Sequence, residues 1–373
     1  MKFKIDKDKF LDAISIVGRS VGSNGTLPIL SNILLKAEEG KIFFLATDLD
    51  LQTSYFIDDI EIEEEGEITI PAKLLQSYLN FLKPGIVDFQ TKDEDILLKS
   101  KSGKTKIKGL NSKDFPKVAP IKTENNFLIN SKILKSAIAD VLFSVSTSMS
   151  RPFLTGINLN IKGGEVFFMS TDSYRFSQRK IDLDTGLEDV SIIIPAKTAQ
   201  EVSKTISDWG MIGGEDFDVK INFSEDQILF EIGDIKLSSR LIPGKFPDCT
   251  MLIPKEKKLT VVAQRQDFAQ LVKRVNIFAK ENNNNLKISF SEENQEIEID
   301  TKDTNIGSDE SSLEASIKGE SMQIALNSEF LIAILGVIKS EDVLIEANGV
   351  YSPVVFKEPE RERFLHIIMP LRV

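Results

Sequence analysis

Apolar positions along the chain recur in two rhythms. A strand-like segment, Phe3 to Ile5, opens the sequence. The rhythm then lengthens, and Phe10, Leu11, Ile14, Val17 and Val21 fall on one face at helical spacing. Leu134, Ala137, Ile138, Val141 and Val145 repeat that helix, as do Phe268, Leu271, Val272 and Val275. Meandering strands follow, such as Lys41 to Ala46 and Gln52 to Ile57. A second helix is predicted after Ile70-Pro71, where a proline's missing N–H costs nothing, with Leu74, Leu75, Tyr78, Leu79 and Leu82 as its apolar face. Runs of strands with two segregated helices predict an α+β fold.

The plan is repeated. Shifting the sequence by 124 residues lays Phe3 and Ile5 on Phe127 and Ile129, and Pro28, Leu30, Ile33 and Leu35 on Pro152, Leu154, Ile157 and Leu159. Thr47-Asp48 falls on Thr171-Asp172, and Ile70-Pro71-Ala72-Lys73 on Ile194-Pro195-Ala196-Lys197. A weaker third copy places Asp267 to Val272 on Lys9 to Ile14 and Ile324 to Leu331 on Ile68 to Leu75, without the Thr-Asp pair. Proline-bearing stretches, Pro116 to Pro120 and Pro247 to Pro254, mark the junctions. The expectation is three tandem domains, 1–120, 121–254 and 255–373, each two helices packed on antiparallel sheets.

Composition narrows the chemistry. The 373 residues carry one Cys and one His, too few for a Cys/His metal cluster. No Gly-rich phosphate loop ends in Lys-Ser/Thr, and Gly163-Gly164 and Gly213-Gly214 read as turns. No catalytic residue, metal or cofactor is expected. The lone Cys249 and the charged N-terminus predict a reducing, cytoplasmic setting with no leader and no membrane. An enzyme using Asp48, Asp50 and Asp172 competes with this reading, but one active site needs no duplicate, and an Asp after Thr at a strand end more often makes a turn. A repeat-built scaffold that binds peptides but never DNA is the other competitor.

The net charge is −11, yet cations recur on the helices: Lys7, Lys9, Arg19, Lys73 and Lys83, then Lys132, Lys135, Lys197 and Lys204, then Arg265, Lys273, Arg274 and Lys339. Scattered Lys and Arg without interleaved aromatics suit phosphate contact without base readout. Two strand-like stretches carry opposite charge on one face: Lys104, Lys106 and Lys108, and Glu296, Glu298 and Asp300. They are read as edges of the first and third domains that pair between subunits, two such contacts closing a ring of six units. The end of the chain, Ile367-Ile368-Met369-Pro370-Leu371, is apolar, which suits a final core strand or the rim of a peptide groove.

Together with the repeat, Leu27-Pro28-Ile29-Leu30-Ser31-Asn32, Thr47-Asp48-Leu49, Thr171-Asp172-Ser173-Tyr174-Arg175-Phe176, Phe246-Pro247-Asp248 and Ile368-Met369-Pro370-Leu371-Arg372 resemble the bacterial DNA polymerase III beta subunits, the sliding clamps, over essentially the full length. The resemblance implies a head-to-tail homodimeric ring around duplex DNA, with no sequence preference and no chemistry of its own, loaded by a separate ATP-driven clamp loader. It implies a groove between the second and third domains for short Gln/Leu/Phe-type peptides of the replicative polymerase, the loader and repair proteins. The matching groove positions are Arg151, Leu154, Thr171, Tyr174, Arg175, Phe176, Pro254, Val350, Ser352, Ile368, Met369, Pro370, Leu371 and Arg372. Tyr174 departs from the histidine of many members. Lys73, Ser148, Pro152, Phe153 and Lys197 match DNA-facing positions, and Asn24 stands where many members have an arginine. Ile107, Ile277 and Phe278 match subunit-interface positions, beside the proposed Lys106 and Glu298.

Overall fold

A computed structural model of the chain describes residues 1–22, 27–116, 125–214, 216–301, 307–361 and 363–372; Asn24 lies outside them. The first third runs β1 (Lys2–Asp6), α1 (Lys7–Val17), β2 (Asn32–Glu38), β3 (Lys41–Thr47), β4 (Leu51–Ile57), β5 (Glu61–Glu64), β6 (Gly66–Pro71), α2 (Ala72–Phe81), β7 (Ile86–Lys92), β8 (Asp95–Ser100) and β9 (Gly103–Lys108). The middle third repeats it with β10 (Asn125–Asn130), α3 (Ser131–Leu142), β11 (Gly156–Lys162), β12 (Glu165–Thr171), β13 (Arg175–Asp182), β14 (Val190–Pro195), α4 (Ala196–Gly213), β15 (Asp218–Phe223), β16 (Gln227–Ile232) and β17 (Ile235–Arg240). The last third runs β18 (Leu259–Gln264), α5 (Arg265–Ala279), β19 (Asn285–Ser291), β20 (Glu296–Asp300), β21 (Glu310–Glu314), β22 (Ser316–Gly319), β23 (Met322–Asn327), α6 (Ser328–Val337), β24 (Asp342–Ala347), β25 (Val354–Lys357) and β26 (Phe364–Ile368). Two helices per third among many antiparallel strands is the α+β plan expected.

Local chemistry explains the boundaries. Asp6 opens α1 because its carboxylate accepts from the Asp8 and Lys9 amides, which have no partner inside the helix. Phe10, Ala13, Ile14 and Val17 are buried as the spacing predicts, but the helix tightens into a 3-10 turn at Gly18–Ser20, so Val21 lies beyond it. Likewise α3 ends at Leu142, and Val145 sits in the turn that follows. On α2 the buried line is Ala72, Leu75 and Leu79; Leu74, one residue off that line, is 53% exposed.

By its contacts the chain divides into two compact units, Met1–Lys135 with Lys197–Leu241, and Ser136–Ala196 with Ile242–Val373. The first unit holds a five-stranded sheet, β5-β1-β7-β8-β9, and an eight-stranded sheet, β10-β15-β16-β17-β4-β3-β2-β6. Its core includes Phe3, Phe10, Phe44 and Phe89, all fully buried, with Phe3 and Phe89 stacked at 4.6 Å. Truncating any one of these to Ala costs about 3–5 kcal/mol. Trp209, the only tryptophan, packs edge-on to Tyr55 in this core. Its ring runs so close to Gly233 (φ +57°) that a Cβ there would stand 2.0 Å from it, so that turn accepts only glycine.

The second unit holds a nine-stranded sheet, β14-β11-β12-β13-β26-β25-β24-β18-β22, and a four-stranded one, β21-β20-β19-β23. Within the nine, β13 pairs with β26 in the register Arg175 to Ile368, Phe176 to Ile367 and Ser177 to His366. That seam joins the middle third of the sequence to the last third through backbone hydrogen bonds.

Candidate peptide groove and charged faces

The seam brings the predicted groove residues to one end of β13 and β26. Thr171 ends β12, and its Oγ1 accepts from the Ser173 amide at 3.1 Å and donates to the Arg175 carbonyl at 2.6 Å. Asp172 Oδ1 accepts from the amides of Tyr174 (2.9 Å) and Arg175 (3.0 Å). These four bonds hold Ser173 at φ +83° and leave Tyr174 64% exposed. Arg175 turns back to Asp172, its Nε 2.9 Å from Oδ2, while its guanidinium lies 4.5 Å from the Phe330 ring centre and 5.6 Å from that of Phe143. Its guanidinium is thus held between a carboxylate and two aromatic rings.

Leu154 and Phe176 belong to a buried apolar cluster with Met169, Ile193, Phe246, Cys249, Val355 and Ile367, and Leu252, Ile253 and Met369 are partly buried against it. Leu154 arrives through a 3-10 turn, Pro152–Leu154, and Arg151 Nη1 ties that turn to Ser173 Oγ at 2.8 Å. The Met369 amide donates to the Tyr174 carbonyl at 2.9 Å and the Leu371 amide to the Ala325 carbonyl at 2.8 Å, so the last residues are pinned rather than frayed. Val350 and Ser352 lie in the turn before β25, whose Val354 pairs with Ile368. Val350, Tyr351 and Met251 are exposed apolar side chains. Pro254 stands one residue past Ile253, in a cleft with Lys257, Glu346 and Lys357, where both lysines bind the Glu346 carboxylate. Pro370 is half-buried and Arg372 exposed.

Sequence reasoning missed most of this cluster. Met169, Ile193, Val355 and Ile367 sit in strands whose neighbours are equally apolar, so no alternation singled them out. Phe246 was visible as part of Phe246-Pro247-Asp248 but was not assigned to the groove. On the opposite face of the sheet from Phe176 and Ile367, Ser144 Oγ, Ser177 Oγ and His366 Nδ1 form a buried chain at 2.6 and 2.7 Å. Burial, and then the charge of Arg175, holds His366 well below the usual histidine range, so it is neutral at pH 7.

The positions expected to face DNA differ among themselves. Lys73 and Lys197 are exposed in the first turns of α2 and α4, and Lys197 binds Asp48 Oδ2. Ser148 is exposed in a serine-rich turn, its Oγ 2.9 Å from that of Ser150. Pro152 is exposed, whereas Phe153 packs against the apolar cluster. Other helix cations are engaged within the fold. Arg19 pairs with Glu201 and Asp208, Lys7 with Asp8, and Arg265 donates to the carbonyls of Ser340 and Leu335.

The lysine strand, β9, is an edge, with Lys104, Lys106 and Lys108 exposed. Lys106 and Lys108 both bind Asp95 and hold its carboxyl below the ordinary range. Ile107 points the other way, into the core, as the two-residue period requires. The acidic strand departs from expectation. β20 is not an edge, because β21 adds outside it and places Glu314 opposite Glu296 and Glu310 opposite Asp300. The acidic face therefore spans two strands. A hydrogen bond with Glu310, then burial and neighbouring acids, raise the Glu298 pKa. On α5, Ile277 is 61% exposed and Phe278 half-buried.

Asp48 and Asp172, considered above as catalytic carboxylates, are turn acceptors: Asp48 Oδ1 takes the amides of Asp50 and Leu51 as Asp172 takes its own pair.

Comparison with known proteins matches this architecture throughout. Family models of the DNA polymerase III beta subunit match residues 1–119 (N-terminal domain), 128–248 (central domain) and 250–372 (C-terminal domain). The beta sliding clamp of Bacillus subtilis is 29% identical over all of this chain and all of its own length, and that of Staphylococcus epidermidis 28% over 100% and 99%. The solved structure of the Bacillus subtilis DNA polymerase sliding clamp superposes with a TM-score of 0.92 over 100% of this chain and 99% of its own, at 28% identity. A Bartonella birtlesii sliding clamp bound to griselimycin gives 0.93 over the full length of both chains, also at 28% identity.

Proposed function

Because the chain belongs to the DNA polymerase III beta subunit family, its three domain models filling almost the whole sequence, we propose that it works by confinement, encircling duplex DNA as a homodimeric ring. It is a sliding clamp, a non-catalytic processivity factor. A closed ring cannot leave DNA sideways, so individual phosphate contacts can stay weak. Cations scattered on helices of a chain with net charge −11 fit contacts of that kind. The observation that carries this reading is the three-fold repeat itself, three clamp domains laid end to end over the full length. The test is retention on DNA: the loaded protein should stay on a closed circle and run off when the circle is cut. Equal loss from both templates would refute confinement.

Two finer assignments belong to the same reading. The groove of Leu154, Thr171, Tyr174, Arg175, Phe176 and Ile368 to Arg372 takes short peptides of the polymerase, the loader and repair proteins. Its support is a buried apolar cluster that includes Leu154 and Phe176, with a few fixed donors in the adjoining turns. The homodimer is supported by the edge lysines of β9 and the doubled acidic face of β20 and β21, which have complementary charge. Light scattering should give twice 41.7 kDa, and a monomer at micromolar concentration would count against it. The protein acts in the cytoplasm on this reading; among the described residues no helix is long and apolar enough to cross a membrane.

A further inference from the structure

The nine-stranded sheet carries a difference between copies that the groove does not explain. Shifting by 124 residues lays Leu34 on Asn158 and Lys36 on Asn160. In the first copy Leu34 pairs across from Leu45. In the second, Asn158 pairs across from Met169, which in turn pairs across from Gln178. Asn158 is 1% exposed, so an amide is buried where the twin strand holds a leucine. The fold does not require an amide there, since its other copy does without.

Asn158 lines a cavity of about 210 Å³ between this sheet face and residues 245–250. Its apolar part is Phe167, Met169, Phe246 and Cys249, which belong to or pack against the cluster that holds Phe176. None of the groove positions assigned by resemblance lines it. The Asn158 amide is only half used. Its Nδ2 donates to Ser191 Oγ at 2.9 Å and to the Ile192 carbonyl at 3.1 Å. Among the described residues no donor reaches its Oδ1. Ser191 Oγ, having accepted that bond, keeps its own proton to give, and Ser191 is an exposed part of the lining. Lys162, Lys245 and Asp248 put both signs of charge in the same lining.

We propose that this cavity binds a small uncharged aromatic carboxamide. A carboxamide carries an N–H donor and a C=O acceptor side by side. That pair matches the open Oδ1 of Asn158 and the hydroxyl proton of Ser191, two residues already joined by a hydrogen bond. Its ring meets Phe167, Met169 and Phe246, and aromatic faces and a thioether are favourable neighbours for a flat ring. About 210 Å³ is small for a drug-sized ligand and suits a single ring. With both signs of charge in the lining, an anion or a cation gains nothing over a neutral molecule.

Ligand-detected NMR titration of the full-length protein tests the site with benzamide and with methyl benzoate, an uncharged analogue that keeps the ring and the C=O and lacks the N–H. Benzamide should saturate one site and bind about fivefold more tightly than methyl benzoate, the scale of one neutral hydrogen bond. Asn158→Leu, which imports the first copy's residue, should erase that difference by weakening benzamide alone. Ser191→Ala should weaken both probes about threefold, because both present the C=O. Cys249, the only cysteine, lines the cavity, so saturating benzamide should slow its alkylation. Absence of saturable benzamide binding, equal affinity of the two probes for the wild type, or an unslowed Cys249 overturns the proposal. Ser191 is exposed, so Ser191→Ala decides the matter even where Asn158→Leu fails to fold: unchanged binding of both probes overturns it.

Discussion

The Thr47–Leu51 and Thr171–Arg175 turns are the same turn made twice. Thr47 Oγ1 accepts from the Leu49 amide at 2.9 Å and donates to the Leu51 carbonyl at 3.0 Å, as Thr171 does for Ser173 and Arg175. Leu49 and Ser173 share φ +83°. Below each turn a hydroxyl pair recurs at 2.6 Å, Ser20 with Thr53 and Ser144 with Ser177. The side chains then part company. The second oxygen of Asp48 binds Lys197, and that of Asp172 binds Arg175. Gln52 stands where the second copy has Phe176, and Leu237 pairs across from Thr53 where His366 pairs across from Ser177. A shared backbone frame carries different side chains in its two copies, so what each turn can recognise is set by a few side chains and not by the fold.

The largest contrast should come from the paired substitutions Phe176→Ala and Gln52→Ala. The first opens a cavity in the buried apolar cluster and should cost about 3–5 kcal/mol in urea denaturation. The second removes a buried oxygen that has no partner among the described residues and should change stability by less than about 0.5 kcal/mol. Equal costs would mean the two turns are structurally interchangeable.

Next is pH. The folded pKa of His366 is depressed, so below the unfolded value of about 6.5 the unfolded chain takes up a proton that the folded chain refuses, and stability falls as pH falls, at up to about 1.4 kcal/mol per pH unit. His366→Leu, which imports the residue type that Leu237 sets opposite Thr53, should flatten this dependence between about pH 6.5 and 5. An unchanged slope would assign the acid sensitivity to other groups.

Arg175→Leu imports the first copy's residue, Leu51, into the second turn. A fluorescent Gln/Leu/Phe-type peptide should bind about tenfold more weakly, with the fold intact. Undiminished binding would remove Arg175 from the site. The smallest effect concerns Lys73 and Lys197, equivalent in the repeat but distinguished by the bond to Asp48. Each Lys→Gln change should lower the slope of log K against log salt for DNA by about 1 or less. The smaller change should come from Lys197, whose charge is shared with Asp48.

The repeat, the α+β plan and the Thr-Asp turns were legible because each leaves a local signal: a constant offset, a period, a turn residue. Leu74 misled because adjacent leucines blur a helical period, and only packing shows that Leu75 owns the buried line. The acidic face was assigned to a single edge strand because β21, with Glu310, Ser311, Ser312 and Glu314, has one large apolar residue and no strand rhythm to announce it. Arg361 and Asp140 lie 221 residues apart, and nothing local to either predicts that they meet. The groove assignment rests on a resemblance; the apolar cluster around Phe176 left no signal, since in a strand buried on both faces apolar residues carry no direction.

The solitary indole of Trp209 sits in the first of the two compact units, against Tyr55 and Gly233. Its emission therefore follows the melting of that unit alone, while a calorimeter registers both. Any gap between the optical and thermal transitions measures how far each of the two units melts without the other.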